Sequence, residues 1–399
     1  MLTIESGGGD PQGIIVSDTL ASQLQVVISG LTVDGGMTAL SGILNRENLT
    51  LNDVIATGAQ DGITNSGQFS VGAVLTMNNS KLTGNSQSGL FVFGGLEPGT
   101  PGGHVKINDS DISDNKVFGI LNLGPQHEFA LGSKVIVNYS TILGNSAGII
   151  NFGGDAMGAT GGILEVNNSA VTKNVAVIIT EGDGILNIGG GADGATGGVL
   201  IVKNSTISNN PGAAIITEGP QVPGSTGSIT QISSSTLSGN KFALIYEPGM
   251  PPDVEVKNSI FTNSFSLNCA PDVTTLTSLG VNISTDDTCP GFIAVTPDEL
   301  NLGALSDNGG PTETQALNPP SAAITAVTDC TFINGEPVIV DQRGFLRPEF
   351  NCDAGSYEFG ARPFVINVPT LSKWGILLTV LLLFVTAMYF YKRNRKLAK

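Results

Sequence analysis

The chain has 399 residues, which is enough for one long repeat domain and a smaller second module. It contains 53 glycines but only 18 lysines and arginines, and its formal net charge of −16 argues against a nucleic acid partner. The charge is unevenly distributed, because the last eight residues, Lys392 to Lys399, hold five basic residues and no acid. The sequence therefore predicts an acidic body followed by a short basic tail.

The first residues, Met1 to Gly9, contain neither a basic segment nor an apolar run, so no signal peptide is predicted there. The stretch from Val26 to Val33 has the composition of a strand. The open top of a stack of strands exposes unpaired backbone groups and needs a cap, which we do not recognise in the sequence. We therefore expect that the natural N-terminus, with a signal peptide and the first coils, lies upstream of Met1.

A repeated segment determines the expected fold of most of the chain. Apolar and polar residues alternate within it, which is the periodicity of a strand rather than of a helix. One such coil cannot bury its apolar residues alone, whereas stacked coils can, with strands roughly 4.8 Å apart. Because parallel crossovers are right-handed, the repeat predicts an all-β fold, a right-handed parallel β-helix, over residues 1–265. Clear copies begin at Leu75, Val105, Val135, Leu164 and Leu200, and weaker ones near Leu49, Ile229 and Val254.

Asparagine and serine recur at fixed positions of this repeat. Asparagine tolerates a left-handed backbone at a bend, and stacked amides can hydrogen-bond to each other along a stack. We therefore interpret these residues as turns and structural ladders rather than as a ligand-binding stripe. The equivalent residues are Asn85, Asn115, Asn145 and Asn174, and Ser80, Ser110, Ser140, Ser169 and Ser205.

Glycine-rich loops form a second repeat. The segment G-G-D-A-M-G-A-T-G-G, from Gly153 to Gly162, returns 36 residues later as G-G-G-A-D-G-A-T-G-G, from Gly189 to Gly198. No Lys-Ser or Lys-Thr follows, so these loops do not predict a P-loop. They resemble the Gly/Asp nonapeptide that binds calcium in β-rolls, which implies Asp155 and Asp193 as calcium ligands. Calcium takes about six to eight oxygens, and one aspartate per loop supplies few of them, so we predict no cofactor and keep calcium as the alternative.

Few residues of the repeat suggest catalysis. Asp109, Asp111 and Asp114 form the best acidic cluster, whereas the two histidines, His104 and His127, lie in different loops. A pair of carboxylates on one strand face would support general acid and base roles, yet a polar outward face gives the same pattern without any function. We therefore predict no catalytic residue and retain the three aspartates as candidates.

All four cysteines follow the point, near residue 263, at which the repeat fades. They contain no C-x-x-C spacing, so a zinc site is not predicted. An even number in an exported chain favours two disulfides. The sequence leaves three connectivities open, of which we choose the nearest-neighbour pairs Cys269–Cys289 and Cys330–Cys352.

Three segments of this region carry a family resemblance. Leu302 to Leu317, Asp341 to Pro348 (D-Q-R-G-F-L-R-P) and Cys352 to Glu358 (C-D-A-G-S-Y-E) resemble the C-terminal module of bacterial choice-of-anchor (Q-type) β-helix surface proteins. The usual S-P-A-I-D of that module appears here as S-A-A-I-T, from Ser321 to Thr325. The resemblance implies a large exported envelope protein rather than a reaction, and a choice-of-anchor-like module over residues 266–360.

The tail, residues 361–399, resembles the IPTL-type C-terminal sorting signal, which implies recognition by an envelope sorting machinery. Trp374 to Tyr391 is 18 residues long without a charge, so it predicts a transmembrane helix with the basic tail on the cytoplasmic side. Such a helix would anchor the protein in the membrane, and the β-helix would then lie outside the cell. The motif residues are Val368, Pro369, Thr370, Leu371, Ser372, Trp374 and Gly375.

Three classes of function fit these features: a non-enzymatic adhesin, coat or matrix-binding rod, a secreted polysaccharide lyase or glycoside hydrolase, and a structural spacer. The fold does not decide among them. Scattered acids, two histidines and a single tryptophan, which lies in the tail, argue against a catalytic sugar groove. We therefore predict an exported, cell-surface, non-enzymatic protein that binds an extracellular glycan or matrix, with the lyase or hydrolase as the alternative.

Overall fold

The computed structural model describes residues 12–17, 24–36, 38–66, 72–175, 181–247, 251–262, 264–364 and 386. Residues 1–363 form one compact unit and residues 364–399 a second. The first unit is an all-β parallel solenoid, as the repeat predicts, in which each coil contributes one strand to each of three parallel sheets. Hydrogen bonds therefore run along the axis of the stack, from each coil to the next.

Within the described residues, sheet A has nine strands, sheet B has ten and sheet C has eleven. Sheet A consists of Gln12–Val16, Ser41–Asn45, Asp61–Asn65, Ser88–Phe93, Phe118–Leu123, Ala147–Asn151, Ile185–Asn187, Ala213–Glu218 and Phe242–Glu247. Sheet B consists of Gln25–Ser29, Asn48–Asn52, Val74–Asn78, His104–Asn108, Lys134–Asn138, Ile163–Asn167, Val199–Lys203, Ile229–Ser233, Asp253–Lys257 and Thr277–Leu279. Sheet C consists of Thr32–Asp34, Ile55–Thr57, Lys81–Thr83, Asp111–Ser113, Thr141–Leu143, Ala170–Thr172, Thr206–Ser208, Thr236–Ser238, Ile260–Thr262, Ile283–Ser284 and Ile293–Ala294.

The core follows the register of the repeat. Val135 pairs with Val105 in the coil before it and with Leu164 in the coil after it. All three side chains are fully buried, as is Val137 two residues further along the same strand. Alternation with outward residues such as Ile136 confirms the strand periodicity read from the sequence, because every second side chain faces the interior.

The predicted ladders are confirmed as hydrogen-bonded rows. The Nδ2 of each asparagine donates to the Oδ1 of the asparagine one coil further, over 2.8 to 3.2 Å, from Asn85 to Asn240. Along the second row, the backbone N–H of each serine from Ser80 to Ser235 donates to the Oγ of the serine one coil further, at 3.0 to 3.2 Å. These amides and hydroxyls are almost completely buried, so the rows satisfy polar groups that burial would otherwise leave unpaired.

The glycine-rich loops stack on one another as the coils do. Gly158 and Gly194 have φ of 65° and 69° in equivalent tight turns, and the Gly158 N–H donates to Asp193 O in the next loop at 3.1 Å. A Cβ on Gly161 would lie 2.2 Å from Gly197 O, so a side chain cannot fit between these loops. The repetition of glycine therefore has a structural cause, which is the close approach of successive loops.

Residues 297–363, which we call the docked segment, fold back along the outside of sheet C. The segment contains the helix Pro297–Leu300, capped by Thr296, and the antiparallel hairpin of Leu302–Ser306 and Thr314–Leu317. Its Gln342 accepts a hydrogen bond from Thr206 Oγ1 at 2.6 Å, and its Ser356 N–H donates to Thr236 Oγ1 at 3.0 Å. The outward-facing residues of Ala170–Thr172, Thr206–Ser208, Thr236–Ser238 and Ile260–Thr262 are consequently buried.

The structure confirms both predicted disulfides. Cys269 is bonded to Cys289 and Cys330 to Cys352, and the described residues contain no free cysteine. The first bond closes the chain over the last coils, and the second lies in the docked segment. Both sulfur pairs are buried, so each bond also contributes to a hydrophobic cluster.

The predicted C-terminal transmembrane helix is wrong for the fold that the structure describes. Among the described residues, no helix combines the length and the apolar character needed to cross a membrane. Pro297–Leu300, for comparison, has four residues. The prediction depended on an uncharged stretch, Trp374 to Tyr391, and absence of charge does not by itself establish a helix. That stretch, apart from residue 386, and the motif from Val368 to Gly375 lie outside the described residues.

Candidate functional site

A cleft of about 600 Å³ opens at the corner between sheets B and C. One wall is a row of corner residues from four successive coils, and the other is formed by residues that begin or flank the neighbouring sheet C strands. Pro311 of the docked segment closes one side. The cleft therefore lies where the repeat meets the segment that folds back over it. The corner row consists of Asp53, Asn79, Asp109 and Tyr139.

The corner residues all have a left-handed backbone, with φ between 46° and 54°. This geometry turns the chain from sheet B into sheet C and points four side chains outward in one row. Asparagine and aspartate adopt it readily, but for a bulky residue it costs roughly 1–2 kcal/mol. In the other described coils the position holds Gly, Asn, Asp or Ser, so Tyr139 is an exception to the pattern. Strain of this kind is concentrated at functional sites.

The sheet C wall carries an ion pair. Lys81 Nζ lies 3.4 Å from Asp111 Oδ2, and both side chains are about two-fifths exposed, so the pair contributes little to stability. Asp111 Oδ1 is buried and has no hydrogen-bond partner among the described residues. On the corner wall, Asn79 Nδ2 donates to Asp53 Oδ1. The cleft thus combines carboxylates, one ammonium group, an amide and one aromatic ring.

The structure brings two of the three candidate aspartates together. Asp109 and Asp111 both line the cleft, although they do not share a straight strand, because the chain turns at Asp109 with φ of 49°. Asp114 occupies the following corner with φ of 57° and contacts Gly144 of the next coil, outside the cleft. The three aspartates therefore do not form one catalytic constellation.

The cleft also contains residues that we did not single out from the sequence. Asn79 and Tyr139 lie one repeat before and after Asp109, and Lys81 and Thr141 lie one repeat before and after Asp111. The register of the repeat could have identified these four once either aspartate was chosen. Pro311 could not have been found in that way, because it comes from the docked segment.

The calcium candidates lie elsewhere. Asp155 and Asp193 are exposed in the stacked loops and occupy positions two residues apart in the loop pattern, so neither lies directly above the other. Asp155 faces Gly191, and Asp193 faces Gly224. Across the described ranges, no three acidic, histidine or cysteine side chains come together as a metal site. The expectation that the protein needs no cofactor stays a prediction.

The two histidines are also outside the cleft. His104 begins a strand of sheet B, where partial burial, followed by the charge of Lys134, lowers the pKa of its imidazole. His127 is exposed in a stacked loop. Neither lies beside the aspartates, so the geometry pairs no histidine with these carboxylates.

A second polar cluster is buried within the docked segment, and sequence reasoning missed it. Arg343 donates to Asp341 Oδ2 through Nε at 2.9 Å and Nη2 at 2.6 Å, and Arg347 Nη1 donates to Glu358 Oε2 at 3.0 Å. With Asp353 these residues are at least nine-tenths buried. They belong to the segments D-Q-R-G-F-L-R-P and C-D-A-G-S-Y-E, in which three acids and two arginines were a visible signal.

Three carboxylates and two guanidinium groups leave an excess of one negative charge in this cluster. Burial raises the pKa of Glu358 to about 7, against the attraction of Arg347, and the charges of Asp353 and Asp341 add to the rise. Burial also raises the pKa of Asp353. The hydrogen bonds of this cluster hold the docked segment together.

The comparisons with known proteins do not assign the chain to a family. No protein-family model matches it, and no curated protein matches it. Among solved structures, the chain is similar to the crystal structure of a pectate lyase, with a TM-score of 0.45 and 15% identity over 86% of this chain and 85% of that one.

Proposed function

We propose that this chain is an exported, non-enzymatic surface protein that binds an extracellular glycan in the cleft between sheets B and C. The observation that carries this proposal is Tyr139. A tyrosine occupies a strained corner that the repeat otherwise fills with small or amide residues, and this tyrosine is one of the residues that line the cleft. Sugar rings pack well on aromatic faces that carry a polar group, and the neighbouring carboxylates and amide can accept or donate hydrogen bonds to hydroxyls.

Two further features support export. The paired cysteines form disulfides, which persist in oxidising compartments outside the cytosol. The sequence of residues 302–358 resembles choice-of-anchor modules, and the motif from Val368 to Gly375 resembles an IPTL-type sorting signal. We include attachment to the cell surface through an envelope sorting machinery in the proposal on the strength of these resemblances.

The arrangement of the acids favours binding over catalysis. Lys81 pairs with Asp111, and Asp114 contacts Gly144 instead of the cleft. A hydrolase requires two carboxylates that flank the scissile bond, with one of them kept protonated. The lyase or hydrolase alternative therefore has to place its chemistry on Asp53, Asp109 and Asp111, the three carboxylates that line the cleft.

The test compares glycan binding by the wild-type chain and by Tyr139→Asn on an array of extracellular polysaccharide fragments. Asparagine is accepted at this corner in other coils, so the variant should fold normally while binding falls by about tenfold or more. Phe129→Gly is the matched control, because Phe129 is another aromatic residue with a left-handed backbone, φ 56°, outside the cleft. The proposal requires the control to bind as wild type does. Unchanged binding by Tyr139→Asn, or no binding by the wild type, would overturn it.

The same samples address catalysis. We expect no turnover of pectin, alginate or related polysaccharides, as measured by the release of reducing or unsaturated ends. Turnover that disappears in Asp111→Asn would instead support the enzyme alternative.

A further inference from the structure

The charges that line the cleft are unequal in sign. Three carboxylates, those of Asp53, Asp109 and Asp111, face one ammonium group, that of Lys81. The pairing of Lys81 with Asp111 leaves Asp53 and Asp109 as uncompensated charges on the corner wall. Both residues are exposed, and no other basic residue lines the cleft in the part of the chain that the structure describes. The cleft therefore repels a polyanion and attracts a cation.

The spacing of these two carboxylates is set by the solenoid. Asn52, Asn78 and Asn108 pair in register, so the residues that follow them stand on consecutive coils. Asp53 and Asp109 are consequently two coils apart, about 10 Å, with Asn79 between them. Asn79 donates to Asp53 and leaves Asp109 without a competing side-chain donor from that residue. The corner wall of the cleft thus presents two negative charges two coils apart.

A β-1,4-linked sugar chain has a matching alternation. Each ring is turned over relative to the one before it, so a substituent on one side recurs at every second ring. The length of one ring along the chain is close to the spacing of one coil. Amino groups of a glucosamine chain lying along the solenoid axis would then meet Asp109 and Asp53, while a further ring packs on Tyr139.

We propose, on the basis of the glycan-binding function above, that the cleft selects a cationic amino-sugar glycan, a β-1,4-linked glucosamine oligomer, over neutral and uronic acid glycans. The ammonium groups bind the carboxylates of Asp109 and Asp53. The Lys81–Asp111 pair holds the opposite wall neutral, so no positive group competes for the ligand's site. An oligogalacturonate carries the wrong charge for the same positions.

Isothermal titration calorimetry with glucosamine oligomers, their fully N-acetylated counterparts and oligogalacturonates tests this proposal. The measurements are made below the pKa of the sugar amine, at low and high salt. We expect the glucosamine oligomer to bind about tenfold more tightly than the N-acetylated one, with the difference reduced by salt. The oligogalacturonate should not bind.

The variant for this test is the double substitution Asp53→Asn and Asp109→Asn. Both corners accept asparagine, as at Asn79, so folding should be preserved. The double variant should bind both oligomers equally, whereas Asp114→Asn, an exposed aspartate at an equivalent left-handed corner outside the cleft, should bind as wild type does.

The possible failures are distinguishable. If the N-acetylated oligomer binds as well as the glucosamine oligomer and Tyr139→Asn abolishes both, the glycan-binding function stands and the charge selection is refuted. If Asp114→Asn weakens binding as much as the double variant does, the attraction belongs to the acidic surface as a whole, and the selection is again refuted. If no glycan binds, the proposed function and the selection both fail.

Discussion

Replacing Glu358 by glutamine should remove a fall in stability that the wild-type chain shows as the pH rises. Burial raises the pKa of Glu358 from 4.5 to about 7, so the folded chain retains a proton that the unfolded chain has released between these pH values. The contribution of Glu358 to the free energy of unfolding is therefore fully present below pH 4.5 and is lost as the pH rises through 7. At about 1.4 kcal/mol per pKa unit, Glu358 accounts for a loss of about 3 kcal/mol.

Glutamine keeps an oxygen for the N–H groups that Glu358 Oε2 accepts, those of Arg347 at 3.0 Å and Asp353 at 2.9 Å, but it does not ionise. The variant should match the wild type at acid pH and exceed its stability by up to about 3 kcal/mol at neutral pH. Glu358→Ala is the contrasting variant. It removes the acceptor and leaves the buried N–H donors of Arg347 and Asp353 without it, which should cost about 1–3 kcal/mol at acid pH.

The assay is urea denaturation of the full chain at pH values from 4.5 to 7, followed by far-ultraviolet circular dichroism. Tryptophan fluorescence is unsuitable, because the single tryptophan is Trp374 in the tail. The change of the unfolding free energy with pH is compared between the wild type and Glu358→Gln. This comparison separates Glu358 from other groups with raised pKa values, such as Asp353 and Asp183. Equal slopes for the wild type and Glu358→Gln would refute the reasoning, since the proton would then be held elsewhere.

Three other substitutions test the architecture by denaturant titration. Asn145→Ala removes the acceptor of the Asn115 N–H groups and a donor to Ile112 O, so it should lower the free energy of unfolding by about 2–5 kcal/mol, and an unchanged midpoint would contradict the structural role of the ladder. Phe129→Gly relieves a left-handed backbone at an exposed residue and should raise the free energy of unfolding by about 1–2 kcal/mol, whereas a loss would show that the ring stabilises the loops. Replacing Cys269 and Cys289 by serine should cost about 3 kcal/mol for a loop of 20 residues, and reduction of the wild type, which also opens Cys330–Cys352, should cost at least as much.

The repeat predicted the parts of the fold that depend on local periodicity. Val135 and Val137 are inward because every second residue of a strand faces the same side, and the same register aligns Asn85 with Asn115. A stack of identical coils converts a sequence period directly into contacts between neighbours. The nearest-neighbour disulfides were predictable for a related reason, since cysteines close in sequence need little loop closure.

The parts that were missed depend on contacts between distant residues. Thr206 donates a hydrogen bond to Gln342, which is 136 residues away, and no pattern in either segment predicts this contact. The bend at Asp109 was missed because a straight strand was assumed through a corner that the left-handed backbone creates. The buried cluster of acids and arginines around Glu358 was missed, although its charged residues are visible in the sequence, because charged residues are usually placed on the surface. The transmembrane prediction depended on hydropathy alone, and among the described residues no helix is long and apolar enough to cross a membrane.

The docked segment covers one end of the row of corner residues and so determines how many of them are exposed. The corner residue Asn204 donates from Nδ2 to Val340 O of this segment at 2.8 Å, whereas the corner residues from Asp53 to Tyr139 line the open cleft. One additional 30-residue coil inserted before Asp53 would lengthen the row by about 4.8 Å and leave every contact of the docked segment in place. An insertion after Asn204 would instead separate Thr206 from Thr236, which both bond to Ser356. Repeat number on the N-terminal side is therefore free to change by duplication or deletion without disturbing the contacts of the docked segment.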